Sequence, residues 1–219
     1  MLLYYITDRL SLANDETQRR QRLLQKIAEA AHLGVDFIQL REKNLSGKQL
    51  ESLAIDAMRA IQENSTGTPS RTKLLINSRA DVALACSANG VHLRSGDIPP
   101  RTVHEIYSRS ASAEVNPIVS VSCHSAQEVL HASAQGADLA LFAPVFGKFT
   151  REKNGTSQPA AGLNALQEAC QQKIPVLALG GITLEKAHDC IKAGAVGIAA
   201  IRLFQENDLA EVVGKLRGL

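Results

Sequence analysis

The chain has 219 residues, 45% of them apolar and 21% charged, with a net charge of +2. That balance predicts a soluble globular core of one large or two small domains, and it is too close to neutrality for a nucleic-acid or acidic-membrane partner; no Lys/Arg-rich run or aromatic-studded basic patch occurs. Cys86, Cys123, Cys170 and Cys190 are scattered, without C-x-x-C spacing or a Cys/His cluster, which fits reduced thiols in a cytoplasmic protein better than disulfides or structural zinc.

The opening "MLLYYITDRL" is apolar for only six residues before Asp8, too short for a signal peptide or a membrane span, and reads as a first strand over 2–7. A helix-period segment follows at 16–33, then "DFIQL" at 36–40 and a helix at 46–63. The same alternation continues with strands at 73–77, 90–93, 117–121, 138–142, 175–179 and 196–200. The intervening helices fall at 79–86, 100–109, 126–135, 161–172, 184–193 and 207–217. Ser46-x-x-Gln49 and Ser125-x-x-Glu128 have the form of capping boxes. Gly34, Asn89-Gly90, Gly136 and Gly194 read as helix stops before the next strand.

Strict β/α alternation implies a parallel sheet, and strands apolar on both faces suit a sheet covered on both sides. The expected fold is a single-domain α/β chain over 1–219, a closed (β/α)₈ TIM barrel, with an open doubly wound sheet as the alternative. The polar loop 64–72 belongs to the αβ side and is expected to be structural. The stretch 143–160 is the longest without periodicity and follows the sixth strand on the βα side, where such barrels carry their chemistry.

The C-terminal ends of the strands should share one mouth. They carry Thr7-Asp8, Gln39 to Lys43, Asn77-Ser78-Arg79, His92 to Asp97, Ser120, Ser122, His124, Lys148, Arg151, Lys153, Gly180-Gly181 and Ile201-Arg202. This cationic ring with two glycine- or hydroxyl-bearing turns suits a polyanion, whose oxygens need N–H donors and fixed positive charge. Individually the residues are ambiguous. Arg41 and Lys43 also fit a solvated loop, Asp97 also fits a cap for the helix near Pro100, and Gly180-Gly181 also fits a tight turn needing positive φ. His92 alternates inside a short strand and reads as a packed core histidine. His124 fits a role at the mouth as well as a structural one, while His104, His131 and His188 read as helix-surface residues.

Four stretches, "DFIQLREK", "LLINSRADVALACSANGVHLRSGD", "VSCHSAQEVLHASAQGADLALFAPVF" and "PVLALGGITLEKAHDCIKAGAVGIAAI", together resemble the thiamine-phosphate synthase family, whose superfamily includes the thiazole tautomerases. The resemblance implies a (β/α)₈ barrel in thiamine biosynthesis. Such an enzyme joins a hydroxymethylpyrimidine diphosphate to a thiazole phosphate and releases pyrophosphate. It implies that Gln39, Arg41 and Lys43 (Q-x-R-x-K) bind the pyrimidine substrate and its diphosphate, that Asn77 of the "IND" pattern and Ser122 of the "S-x-H" turn contact substrate, and that Asp97 of the "GQxD" turn is a Mg²⁺ ligand. Lys148, Arg151, Gly180, Gly181, Ile201 and Arg202 would meet phosphate groups, with Arg41, Lys43, His124 and Arg151 serving the chemistry. The partners implied are these two small phosphorylated substrates, not nucleic acid or a membrane; a homo-oligomer is left open.

Three departures from the pattern bear on that reading. Ser78 replaces the aspartate of "IND", a second metal ligand; Lys148 and Arg151 replace a threonine and the lysine of the "PT-x-T-K" lid; Arg202 replaces the serine of the last phosphate turn. Two alternatives therefore stand beside the synthase. One is a metal-independent thiazole tautomerase using His124 as its proton shuttle. The other is a diverged, non-catalytic binder of phosphorylated ligands.

Overall fold

A computed structural model of the chain describes residues 1–65, 72–110, 116–147 and 159–219. The strands among them are β1 (Leu2–Ile6), β2 (Phe37–Leu40), β3 (Lys73–Asn77), β4 (Gly90–Leu93), β5 (Ile118–Cys123), β6 (Leu139–Phe142), β7 (Val176–Leu179) and β8 (Gly197–Ala200). All pair in parallel in chain order, and β8 pairs back to β1 with Leu3 opposite Ile198, so the sheet is a closed barrel and not the open alternative. The helices are α1 (Glu16–His32), α2 (Gly47–Asn64), α3 (Ala80–Ala85), α4 (Pro100–Arg109), α5 (Ala126–Ala134), α6 (Gly162–Cys170), α7 (Leu184–Lys192), α8 (Arg202–Gln205) and α9 (Leu209–Arg217).

Period-2 alternation divides each strand between two cores. Leu3 and Tyr5 of β1 and Ile198 and Ala200 of β8 turn outward and join Leu23, Ile27, Leu53 and Leu216 of the helices. Tyr4, Ile6, Leu139, Leu141, Leu177 and Ala199 form a separate buried cluster inside the barrel. A strand covered on both sides must be apolar on both, hence the near-continuous Val/Leu/Ile runs. The helices supply matching stripes: in α2 the buried residues are Leu50, Leu53, Ala54, Ala57 and Ile61, at helical spacing.

The local signals hold with two exceptions. Ser46 and Gln49 form a complete capping box. Ser125 accepts the Glu128 backbone N–H, but the Glu128 carboxylate accepts from the backbone of His124, so the second box is half-formed. Gly34, Gly136 and Gly194 take positive φ as helix stops should. Asn89-Gly90 does not. Gly90 lies within β4, where an added Cβ would sit 1.9 Å from the Ile118 carbonyl oxygen, and the left-handed residue after α3 is Ser87. Asn89 instead accepts the Leu74 backbone N–H through Oδ1, which anchors the start of β3.

At the foot of the barrel the last residue of α9 ties the helix to the start of β2. Arg217 donates through Nη2 to Asp36 Oδ2 and the Gly34 carbonyl, both at 2.7 Å, while the Leu3 backbone N–H donates to the same carboxylate oxygen at 2.8 Å. The four cysteines are free thiols. Burial pushes Cys170 and Cys190 up to about 11 and Cys123 up to about 12, which keeps these thiols protonated. No helix among the described residues is long and apolar enough to cross a membrane.

Candidate active site

Because every strand runs the same way, all C-terminal ends open at one mouth. The loop leaving β2 is fixed there by a buried brace. Thr7, just past β1, donates its hydroxyl to Glu42 at 2.6 Å and accepts the Arg41 backbone N–H at 3.0 Å. Glu42 also accepts the Arg9 backbone N–H, with the Arg9 Nε 3.6 Å away. Burial raises the Glu42 pKa, against the pull of these donors. The Arg41 backbone and the Glu42 side chain are therefore tied down, which sets the loop that carries Arg41, half-buried, and Lys43, exposed.

Inside the mouth a directed chain of hydrogen bonds crosses three strand ends. The Asp97 carboxylate only accepts, so the Ser78 hydroxyl donates to its Oδ2 at 2.7 Å. Ser78 Oγ in turn accepts from Asn77 Nδ2 at 3.2 Å, which leaves Asn77 Oδ1 to accept from Gln39 Nε2 at 2.8 Å. Each amide orientation follows from the one before it. The chain ends at Gln39 Oε1, a buried acceptor on a residue only 1% exposed, and that oxygen has no partner among the described residues. An acceptor left in that state marks a place built for a donor from elsewhere.

A second network runs through the lumen. Tyr4 of β1 meets Ser120 of β5 at 3.0 Å between their hydroxyl oxygens, a contact that only the barrel interior allows. Ser120 lies 2.9 Å from His92 Nδ1, and His92 Nε2 lies 2.8 Å from Ser122 Oγ. His92 is the expected core histidine, 3% exposed. Burial depresses its pKa to about 3, with the Arg41 and Arg94 charges adding to the effect against Asp97, so the ring is neutral. One ring nitrogen donates and the other accepts, which gives Ser122 a fixed partner.

On the far side, β7 ends in Gly180 (φ +100°) and Gly181 (φ +64°). The tight-turn reading of these glycines applies. The turn needs positive φ, and it also lets another segment approach: a Cβ on Gly180 would sit 2.8 Å from Pro144, and one on Gly181 2.9 Å from the Gly147 oxygen. The Val145 and Phe146 backbones donate to the Leu179 and Gly180 carbonyls at 2.9 and 3.0 Å, binding the start of the 143–160 loop to this turn. His124 is exposed, with Nδ1 2.5 Å from the Ala143 oxygen. Next to β7, β8 ends at Ala200, and Ile201 then caps the four-residue helix α8, opened by Arg202 and too short for periodicity to reveal. Lys148, Arg151 and Lys153 lie outside the described residues.

The expected Mg²⁺ corner can be tested on its donors. Mg²⁺ takes a near-octahedral oxygen set, with one or two protein carboxylates completed by substrate phosphates and water. Here the one carboxylate, Asp97, accepts from the Arg94 backbone N–H (2.8 Å) and Ser78 through Oδ2, and from Arg94 Nη2 (3.2 Å) through Oδ1. Burial raises its pKa, but the Arg94 backbone, the Ser78 hydroxyl and the Arg94 guanidinium together hold it below the ordinary carboxylate value. Nor does Asp97 cap the following helix, whose N-cap is Pro99 with no side-chain cap. Among the described residues, no three His, Cys, Asp or Glu side chains form a group able to hold a metal. A lone carboxylate already paired with a guanidinium does not fit a resident Mg²⁺.

The structure brings Gln39, Asn77, Ser78 and Asp97 of the expected strand-end set into one hydrogen-bonded chain, and sets Ser122 of β5 against His92. The sequence reading gave no role to Arg94, Thr7 or Glu42, although all three appear among its strand-end residues. The only advance signal for Arg94 was a cation three residues before Asp97.

Comparison with known proteins agrees with this geometry. Residues 3–204 match the family model described as thiamine monophosphate synthase. The thiamine-phosphate synthase of Methanoculleus marisnigri is 35% identical over 95% of this chain and 93% of its own length. That of Chloroflexus aurantiacus is 32% identical over 100% and 96%. The solved thiamine phosphate pyrophosphorylase from Pyrococcus furiosus superposes with a TM-score of 0.78 at 30% identity, covering 99% of this chain and 94% of that one. These relatives are named for the transferase, which favours it over the tautomerase and the non-catalytic binder. A closed eight-stranded barrel with this polar mouth, matched along nearly its whole length, belongs to the thiamine-phosphate synthase family, transferases of thiamine biosynthesis.

Proposed function

We propose that this chain joins a hydroxymethylpyrimidine diphosphate to a thiazole phosphate. The bond between the pyrimidine methylene carbon and the diphosphate oxygen breaks, and its electron pair leaves with pyrophosphate. The lone pair of the thiazole nitrogen then forms the new C–N bond. No proton moves in either step.

The unpartnered Gln39 Oε1 carries this reading, because the pyrimidine of thiamine bears an amine that can donate to it. Ser122, held by His92, lies on the same half of the lumen. Arg41 and Lys43 supply charge to the diphosphate, and Gly180-Gly181 with Ile201-Arg202 receive the thiazole phosphate, a place where barrels of this kind commonly bind phosphate. Lys148 and Arg151 belong to the same reading as cations of the loop that follows β6. In this reaction His124 has no acid–base duty, and we assign it to propping the Ala143 carbonyl at the base of that loop.

The test is formation of thiamine phosphate, followed by thiochrome fluorescence, from the two substrates. Gln39→Met keeps the side-chain length but removes both the Oε1 acceptor and the Nε2 donor to Asn77, and should lower kcat/KM for the pyrimidine substrate by at least about tenfold, the cost of lost buried hydrogen bonds. Unchanged kinetics in that variant would overturn the assignment, and absence of product under every condition would overturn the reaction.

A further inference from the structure

We infer that Arg94 supplies from the protein the positive charge that a divalent cation would otherwise bring to the diphosphate, an inference that rests on the synthase reading for its anion. Two exchanges meet at this corner. Where the G-Q-x-D turn pattern has glycine, this chain has Arg94, and where the neighbouring turn has aspartate it has Ser78. The first adds a positive charge and the second removes a negative one. Two carboxylates and a divalent metal cancel; one carboxylate and one guanidinium cancel equally.

The geometry follows the arithmetic. Arg94 Nε donates to Ser78 Oγ at 2.9 Å and Nη2 to Asp97 Oδ1 at 3.2 Å, so the guanidinium bridges the two side chains at the positions where the family pattern has carboxylates. The Arg94 side chain is 59% exposed, and its remaining N–H groups are available to an arriving anion. A planar guanidinium suits phosphate oxygens through paired hydrogen bonds, and a fixed cation at a leaving phosphate is a recurrent source of rate. Ser78 is held at φ +59°, a left-handed conformation uncommon for serine, while its backbone N–H donates to the His92 carbonyl at 2.8 Å. That strained turn presents the hydroxyl to Arg94. As the methylene–oxygen bond breaks, the electron pair settles on the pyrophosphate oxygens, which the Arg94 N–H groups stabilise without taking or giving a proton.

Calorimetric titration with inorganic pyrophosphate in EDTA tests this directly. The wild-type chain should bind; Arg94→Ala should bind at least tenfold more weakly, and Arg94→Lys should fall between. Saturating Mg²⁺ should change the wild-type affinity by less than twofold. The double variant Arg94→Ala/Ser78→Asp should bind pyrophosphate at least tenfold more tightly with Mg²⁺ than with EDTA. If that variant does not fold by circular dichroism, the exposed single variant decides. Wild-type binding that requires Mg²⁺, or equal affinity in EDTA for wild type and Arg94→Ala, overturns the inference. Arg94-dependent pyrophosphate binding without any thiamine phosphate formation overturns the synthase reading and leaves this one standing. Turnover abolished by EDTA and restored by Mg²⁺ does the opposite.

Discussion

His92 Nε2 sits 2.8 Å from the Ser122 hydroxyl while its other ring nitrogen is held by Ser120, so a fully enclosed neutral imidazole fixes the rotamer of a serine at the mouth. The arrangement costs the protein acid tolerance. The folded pKa of about 3 lies below the unfolded value of 6.5, so the unfolded chain takes up a proton that the folded one refuses. The stability due to His92 is complete above pH 6.5 and drains away as the pH falls toward 3.

Urea unfolding between pH 7 and pH 4 should therefore show the wild type losing stability with a slope approaching about 1.4 kcal/mol per pH unit from this one group. His92→Asn should flatten that limb. It should also lower kcat, because Ser122 loses its fixed partner. An identical acid limb in the variant would show that other groups set it.

Thr7→Val tests the brace under the cationic loop. The substitution nearly preserves shape but removes the hydroxyl that donates to Glu42 and accepts from Arg41. The chain should lose about 1–3 kcal/mol of stability, the cost of leaving buried polar groups unpaired. KM for the diphosphate substrate should rise, since the Arg41 backbone is no longer fixed. Denaturation midpoints and steady-state kinetics read the two effects separately.

Gly181→Ala combines two penalties, a φ of +64° and a Cβ 2.9 Å from the Gly147 oxygen and the Phe146 side chain. We expect about 1–3 kcal/mol of destabilisation. KM for the thiazole phosphate should rise while that for the pyrimidine stays close to wild type.

Arg217→Ala removes the guanidinium that binds Asp36 and the Gly34 carbonyl at the foot of the barrel. Loss of a charge-assisted contact to a buried carboxylate predicts about 1–3 kcal/mol of destabilisation, visible as a lower thermal midpoint. KM values should be unchanged, because the contact lies at the end of the barrel away from the mouth.

The architecture was legible because it is repetitive and local. Buried strands such as "KLLIN" and amphipathic segments such as Gly47–Asn64 announce themselves by period alone, and each element fell within about two residues of its expected bounds. What escaped was too short or too distant for periodicity. Helix α8 spans one turn. Gly90 looked like a stop because the reason for it, the Ile118 carbonyl, lies across a strand pair. In the site, Gln39 and Asn77 could be named from their motifs, yet nothing in the chain order says that their amides touch or that Gln39 Oε1 is left over. Arg94 was one cation among many at the rim, and its meaning depended on Ser78, sixteen residues earlier, facing it.

The relay from Asp97 through Ser78 and Asn77 to Gln39 has one further consequence. It couples the orientation of the Gln39 amide to the Asp97 corner as a single hydrogen-bonded unit. On the proposed function, a change at Ser78 made to retune one end also disturbs the orientation of the Gln39 amide at the other, so new specificity at either end would have to be sought with libraries that vary all four positions together.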